Sequence, residues 1–375
     1  MKIVFTGGIT GGHFFPIIAV AQQVFEVSEK RKLIEPTLYY FSNEPYKENL
    51  LYDNHIKYVR IGSGKMRRYN SILNVLDIFR SGIGFIKALF KLYSIFPDVI
   101  FSKGGGDAFP TLLAARILGI PVFIHESDSV PGRANMWAGK FAYRIAVSFE
   151  EAGMYFKKEK VAYTGQPIRT EILHPLHEGA HEYLDLKSDV PTILILGGSQ
   201  GSENINEVVL SVLPELVKSF QVIHQVGNKN IEDIKRRGAL ILNQNENSFR
   251  YKPYGFLDDL ATRMSAGVAS IVISRAGSTV FEIASWGLPS IIIPINDSNG
   301  DHQRKNAFNY ARSGACVVIE EANLSPHVFL SEVERLQSLP ETRTHMTEKA
   351  KIFFKPNAAK KIAEEIVRIA EEHEK

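Results

Sequence analysis

The sequence predicts an α/β protein of two doubly wound, Rossmann-like domains. Three observations predict it. Short runs of consecutive apolar residues alternate with longer helical patterns, as expected of parallel sheets buried on both faces. One opening occurs twice, an apolar strand, a glycine loop and a helix, first around Ile3-Val4-Phe5 and again around Ile193-Leu194-Ile195. The 375 residues are also more than one domain of about 150 accounts for.

Composition narrows the class further. With 45% hydrophobic and 23% charged residues, the chain is an ordinary globular one and not a disordered tail. Its 44 basic and 41 acidic residues leave a net charge of +3, too weak for a whole-protein nucleic-acid footprint, so no nucleic-acid partner is expected. The single Cys316 excludes a disulfide framework and a multi-cysteine metal centre. Its apolar neighbours, Ala315 and Val317, make it a buried small hydrophobe. The start reaches Gly7 too soon for a signal peptide, and no stretch of about 18 uncharged apolar residues appears. A cytoplasmic protein is the expectation.

Taken in order, the first half reads as a strand at 3–5, the loop Gly7-Gly8-Ile9-Thr10-Gly11-Gly12-His13, and a helix through Ile17, Ala21 and Val24. Strands follow at 37–41, 57–61, 98–101, 122–125 and 145–147. The second half repeats the plan with a strand at 192–196, the loop Gly197-Gly198-Ser199-Gln200-Gly201, and a helix through Ile205, Val209 and Val212. Its further strands fall at 221–225, 270–274, 290–294 and 315–319. Pro167, Pro175 and Gly179 interrupt the periodicity, so 166–189 reads as a linker between domains at 1–165 and 190–356. Residues 357–375 form an amphipathic helix whose Ile362, Ile366 and Ile369 make one stripe. The sequence leaves open whether that stripe returns to the first domain.

A glycine turn entering a helix offers bare N–H groups and the positive end of the helix dipole to an anion. The loop at 7–12 lacks the Gly-Lys-Ser/Thr ending of an ATP-type phosphate loop, and it is not the regular dinucleotide fingerprint. Two such loops, with Ser102-Lys103-Gly104-Gly105-Gly106 and Ser274-Arg275-Ala276-Gly277-Ser278 also at strand ends, point to a large phosphate-bearing ligand. Lys103 reads equally well as a phosphate partner and as a solvated loop lysine.

These segments carry a family resemblance. The first loop through Pro16, the stretch 102–110, His125-Glu126-Ser127-Asp128 through Asn135, Gly165-Gln166-Pro167, the second loop, 275–282 and Asp301-His302-Gln303 run in the order found in MurG-type glycosyltransferases. The chain resembles that family over nearly its whole length. It departs at Asp128, where asparagine is frequent, at Ile9, and in the loop 275–282, one residue shorter than in some members. The resemblance implies the GT-B fold and inverting transfer of N-acetylglucosamine from UDP-N-acetylglucosamine. The implied acceptor is undecaprenyl-pyrophosphoryl N-acetylmuramyl-pentapeptide, used in peptidoglycan synthesis.

It also implies roles. Thr10, Gly11 and Gly12 line the donor and acceptor cleft. Ser199 serves the diphosphate, or is a plain helix N-cap. Arg169 suits the diphosphate, its alternative being a surface salt bridge. Ser278 and Thr279 belong with the donor, and Glu282 accepts the ribose hydroxyls or merely favours the helix dipole. Leu257 meets uracil through its backbone, or is only core. Gln303, and with it His302, reads the sugar hydroxyls. His13 is the candidate base, with acceptor-phosphate orientation and loop packing as alternatives. Glu126 and Asp128 compete with it, and Asn135 is an acceptor or structural contact. No Asp-x-Asp dyad or His/Cys cluster occurs, so neither a metal nor a cofactor is expected.

One segment suggests where the acceptor is met. From Lys65 to Phe96, a helical pattern carries Ile72, Val75, Leu76, Phe79, Ile83, Ile86 and Phe90 as a stripe sufficient for core packing. Leu73, Ile78, Phe85, Leu89 and Leu92 leave further apolar surface beside it, fringed by Arg67, Arg68, Arg80, Lys87 and Lys91. This reads as a peripheral contact with an anionic membrane, at the cytoplasmic face of the bacterial plasma membrane, or as a buried core helix with a basic edge. The rival functions are a UDP-sugar epimerase, a non-catalytic nucleotide binder and, less well matched, a nicotinamide oxidoreductase.

Overall fold

In the computed structural model, residues 1–373 are described except Ile9, 65–71, Ser199 and Asp297, with backbone only at 72–76, 78 and 299. The chain divides into two compact units, one of Met1–Arg169 with Lys355–Lys375, the other of Thr170–Phe354. Each is an all-parallel sheet flanked by helices.

The first sheet is built of β1 (Lys2–Thr6), β2 (Thr37–Ser42), β3 (Ile56–Arg60), β4 (Val99–Ser102), β5 (Val122–Glu126), β6 (Arg144–Val147) and β7 (Val161–Tyr163), in the spatial order β3-β2-β1-β4-β5-β6-β7. The second holds β8 (Thr192–Leu196), β9 (Gln221–Gln225), β10 (Tyr251–Tyr254), β11 (Ala269–Ser274), β12 (Ser290–Ile292) and β13 (Cys316–Val318), in the order β10-β9-β8-β11-β12-β13. Central strands such as β4, β5 and β8 are buried at every residue, which is why they read as unbroken apolar runs.

Two strands escape sequence reading, and both lie at sheet edges. β7 is three residues long with two of them exposed; β10 contains Pro253, which cannot donate to a ladder and argues against a strand. Elsewhere the strand ends differ from expectation by at most two residues, and β8 and β9 match it. Asp98, expected inside β4, lies just before it, where its carboxylate accepts from Lys2 N at 2.7 Å.

The helix Ala358–His373 packs within the first unit against the helix Gly11–Lys30. Ile362, Ile366 and Ile369 are buried there with Ile17, Val20 and Val24. Each such side chain contributes about 1.5–3 kcal/mol on burial. Residues of the expected linker from Thr170 onward pack within the second unit: Trp286 Nε1 donates to Ile172 O at 2.8 Å, and Leu176 N to Arg263 O at 3.0 Å.

The helix Ile72–Ile95 reverses the expected assignment of its faces. Ala88 and Leu92 are fully buried, with Phe85 and Leu89 packed beside them, whereas Phe79, Ile83, Ile86, Phe90 and Tyr93 are 53–73% exposed. The face turned inward is the one that meets the helix Phe109–Leu118. Periodicity showed two apolar stripes; the packing partner decided which became core. Lys65, Arg67 and Arg68 lie outside the described residues.

Candidate active site

In each sheet the winding reverses beside the first strand, between β1 and β4 and between β8 and β11. Ligands of open parallel sheets collect at the carboxyl ends of the strands around such a switch point. Both glycine loops stand there.

In the first unit the loop after β1 leads into the helix Gly11–Lys30. Thr10, extended at φ −107° and ψ 155°, is its N-cap residue, but its hydroxyl does not cap: it hydrogen-bonds His13 Nδ1 at 3.1 Å. Gly8 lies under this ring: a Cβ there would stand 2.9 Å from His13 Nδ1, so a side chain would displace the imidazole. Arg169 is 6% exposed, with its guanidinium 4.2 Å from the centroid of Phe15. The guanidinium is thus buried against an aromatic face.

The neighbouring loops form one polar network. Glu126 is buried at the end of β5, and its carboxylate accepts from Asp128 N at 2.9 Å, Gly132 N at 3.0 Å and Asn135 Nδ2 at 2.9 Å. Burial, and then the charge of Asp128, raise its pKa. Asn135 is 3% exposed; its Nδ2 also reaches His125 O at 3.2 Å. Asp128 is half-buried. Lys103 is not a solvated lysine: it is 2% exposed and donates to His125 Nδ1 and Ser127 Oγ. Burial lowers its pKa to about 7, while Glu126 and Asp128 resist the fall.

In the second unit the glycine loop follows β8. Gly201 has φ +78°, and a Cβ there would lie 2.0 Å from Val226 O, so only glycine fits. Ser202 caps the helix Glu203–Ser219 by accepting from Ile205 N at 3.4 Å. Ser199 itself lies outside the described residues. Behind the loop, Arg275 Nη2 donates to Ser202 Oγ at 2.6 Å and pairs with Glu321, and Nη1 donates to Ile293 O at 3.1 Å. Glu321 also accepts from Asn204 Nδ2 at 2.8 Å and Asn296 N at 3.0 Å. Burial alone would raise the Glu321 pKa; the bonds from Asn296, Asn204 and Arg275 bring it below the usual value.

Ser278 precedes the helix Thr279–Trp286, whose first turn carries half-buried Glu282. Asn306, not singled out in the sequence, is buried and ties this loop to the helix His302–Arg312 by donating to Ala276 O at 3.1 Å. Gln303 Oε1 accepts from Ile295 N at 3.2 Å, and His302 is half-buried beside it. Leu257 is 2% exposed; its N–H goes to Gln225 Oε1 at 3.1 Å and its carbonyl accepts from Thr262 Oγ1 at 3.3 Å. Gln225 also donates to Gly198 O at 3.1 Å, joining the glycine loop to the Leu257 turn.

Comparison with known proteins bears on the family and the fold. Residues 3–147 match the glycosyltransferase family 28 N-terminal domain and residues 192–362 the family 28 C-terminal domain. A protein of Treponema denticola named UDP-N-acetylglucosamine–N-acetylmuramyl-(pentapeptide) pyrophosphoryl-undecaprenol N-acetylglucosamine transferase is 35% identical, over 88% of this chain and 86% of its own. One of the same name from Halothermothrix orenii is 34% identical over 95% of both chains. The crystal structure of Acinetobacter baumannii MurG superimposes with a TM-score of 0.72 at 25% identity, covering 98% of this chain and 99% of that one. A UDP-GlcNAc 2-epimerase from Neisseria meningitidis shares the fold, with a TM-score of 0.70 at 16% identity, covering 98% of this chain and all of that one.

Proposed function

The chain belongs to glycosyltransferase family 28, among the MurG-type N-acetylglucosaminyltransferases, and from that premise we propose how its residues carry the reaction. The enzyme transfers N-acetylglucosamine from UDP-N-acetylglucosamine to the 4-hydroxyl of undecaprenyl-pyrophosphoryl N-acetylmuramyl-pentapeptide. The acceptor oxygen bonds to the anomeric carbon as the bond to the UDP oxygen breaks, which inverts that carbon. His13 takes the hydroxyl proton, oriented by its bond to Thr10.

The acceptor is met by Gly11, Gly12 and the turn carrying Asp128 and Asn135. Glu126, engaged by three donors, holds that turn, and Asp128 is the acidic alternative to His13. On the donor, Glu282 accepts the ribose hydroxyls, Gln303 and His302 read the sugar, and Leu257 faces uracil. Ser199, Ser278, Thr279 and the helix N-termini beside them offset the departing diphosphate together with Arg169. Neither a cofactor nor a metal ion enters these steps.

The acceptor's polyprenyl chain stays in a bilayer, and the partner proposed for the exposed stripe Phe79, Ile83, Ile86, Phe90 and Tyr93 is an anionic membrane surface. Exposed Arg80, Lys87 and Lys91 lie on the same helix. Among the described residues no helix is long and apolar enough to cross a membrane; the contact proposed is a peripheral one, at the cytoplasmic face.

One observation carries the reading: both glycine loops stand at switch points of parallel sheets in a chain 35% identical to a named transferase of this kind. The test is incubation with labelled UDP-N-acetylglucosamine, with and without the lipid-linked muramyl-pentapeptide. UDP release and a labelled lipid product only with acceptor support it. Sugar interconversion without acceptor, or binding without turnover, defeats it.

A further inference from the structure

Lys103 is a buried cation that the proposed chemistry does not use. It follows β4 and continues its ladder, donating its backbone N–H to Thr6 O at 2.9 Å. Its side-chain stem runs beneath the first glycine loop, so close that a Cβ on Gly7 would lie 3.0 Å from Lys103 Cβ. The Nζ atom ends between His125 Nδ1 and Ser127 Oγ.

The direction of these bonds follows from donor and acceptor chemistry. An ammonium group only donates, so His125 Nδ1 must accept. The imidazole proton then sits on Nε2, which faces the carbonyl of Gly165 at 3.1 Å, a group that only accepts. Both neighbours therefore select one tautomer. Ser127 accepts from Lys103 and donates its own proton to Gln166 Oε1 at 2.9 Å, which also receives Ser148 Oγ at 2.8 Å. Lys103 thus links three segments: its Cβ lies against Gly7 of the first glycine loop, its Nζ holds His125 and Ser127, and these two in turn reach Gly165 and Gln166.

We propose that Lys103 is a positioning residue for the acceptor, a fixed prop that sets the turn bearing Asp128 and Asn135 against the loop bearing His13. This rests on the reading of those loops as the acceptor side. Glu126 fastens the same turn from within, through Asp128 N and Gly132 N, whereas Lys103 fastens it to the rest of the site. The groups that act electrostatically on Lys103 are Glu126 and Asp128, with His125 in direct contact. A cation kept in so dry a place costs stability, and replacing it with an apolar residue of similar length does not unfold a well-packed core.

The test compares the parent with Lys103→Met and Ser127→Ala in full-length protein. UDP binding is measured by calorimetry, melting temperature by calorimetric scan, and kinetics by varying donor and lipid-linked acceptor separately. The expected result for Lys103→Met is a melting temperature equal to or above the parent's and UDP affinity within twofold. Its kcat/KM for acceptor falls at least tenfold. Ser127→Ala, which removes only one of the two acceptors of Lys103, gives a smaller loss in the same parameter. Acceptor kinetics within threefold of the parent in both variants would overturn the proposal, as would an equal loss in donor and acceptor parameters. If Lys103→Met fails to fold, Ser127→Ala alone decides by the same threefold limit. A parent that transfers nothing to the lipid-linked acceptor breaks the functional reading itself; an active parent matched by active variants breaks only this one.

Discussion

The first glycine loop is propped by a buried lysine and the second by a buried arginine. Lys103 reaches two neutral partners, an imidazole and a hydroxyl, with the carboxylates of Glu126 and Asp128 nearby but not in contact. Arg275 is paired directly with Glu321 and bonded to Ser202 and Ile293, so its charge is neutralised where it stands. A lysine yields its proton when burial is severe enough; arginine, as a residue type, keeps its charge. The two switch points therefore differ in how a buried cation is held: one beside neutral partners, the other in a direct ion pair.

The largest effect expected lies on the arginine side. Arg275→Leu leaves Glu321 without its opposite charge, which costs about 3 kcal/mol or more. The double variant Arg275→Leu/Glu321→Leu recovers most of that stability, because two apolar residues of similar volume replace the pair. It does not recover donor binding, since Ser202 loses Arg275 while Asn204 and Asn296 lose Glu321. Urea midpoints and UDP titrations separate the two outcomes. A single variant as stable as the parent would show that the pair props nothing.

Next in size is His13→Ala, which removes the base proposed on the lysine side. Transfer should fall about a hundredfold, or roughly 2.7 kcal/mol, with UDP binding intact. Near-normal turnover would move the role to Asp128. On the arginine side, Glu282→Ala and Gln303→Ala should each cost about 1–3 kcal/mol in donor use, a loss of roughly 5- to 150-fold, without changing the melting temperature. If both leave the donor KM unaltered, these side chains do not touch the donor.

The sequence showed most of the sheet framework, because buried parallel strands are continuous apolar runs, and it showed the glycine loops, because their spacing is local. What it could not show was pairing across distance. Lys103 sits among glycines and reads as loop surface; only the approach of β5 and of Gly165-Gln166 makes it buried. Arg275 and Glu321 stand 46 residues apart, and nothing local in either segment announces the partner. Asn306 is one polar residue in a polar helix until Ala276 O is found above it. The inverted faces of the helix Ile72–Ile95 have the same cause, since both stripes satisfy helical periodicity and the helix Phe109–Leu118 selects between them.

The smallest effect is a slope, and it tests the contrast between the two props most directly. In the folded chain burial lowers the Lys103 pKa to about 7, from the ordinary value of 10.5 that an unfolded chain retains. Below pH 7 both states carry the proton, and the folded state bears the full cost of a buried charge. Between pH 7 and about 10 the folded lysine has lost its proton while the unfolded one still holds it. The unfolded state then binds more protons, so stability contributed at this position rises with pH, by at most about 1.4 kcal/mol per pH unit. Comparing parent with Lys103→Met at pH 7, 8 and 9 isolates this contribution, because every other titrating group is common to both. The urea midpoint of the parent should gain on that of the variant as pH rises. For the Arg275→Leu/Glu321→Leu double variant, the difference from the parent should stay level over the same range. A level difference for Lys103→Met as well would mean that Lys103 keeps its charge as firmly as an arginine, and the two switch points would then be electrostatically alike.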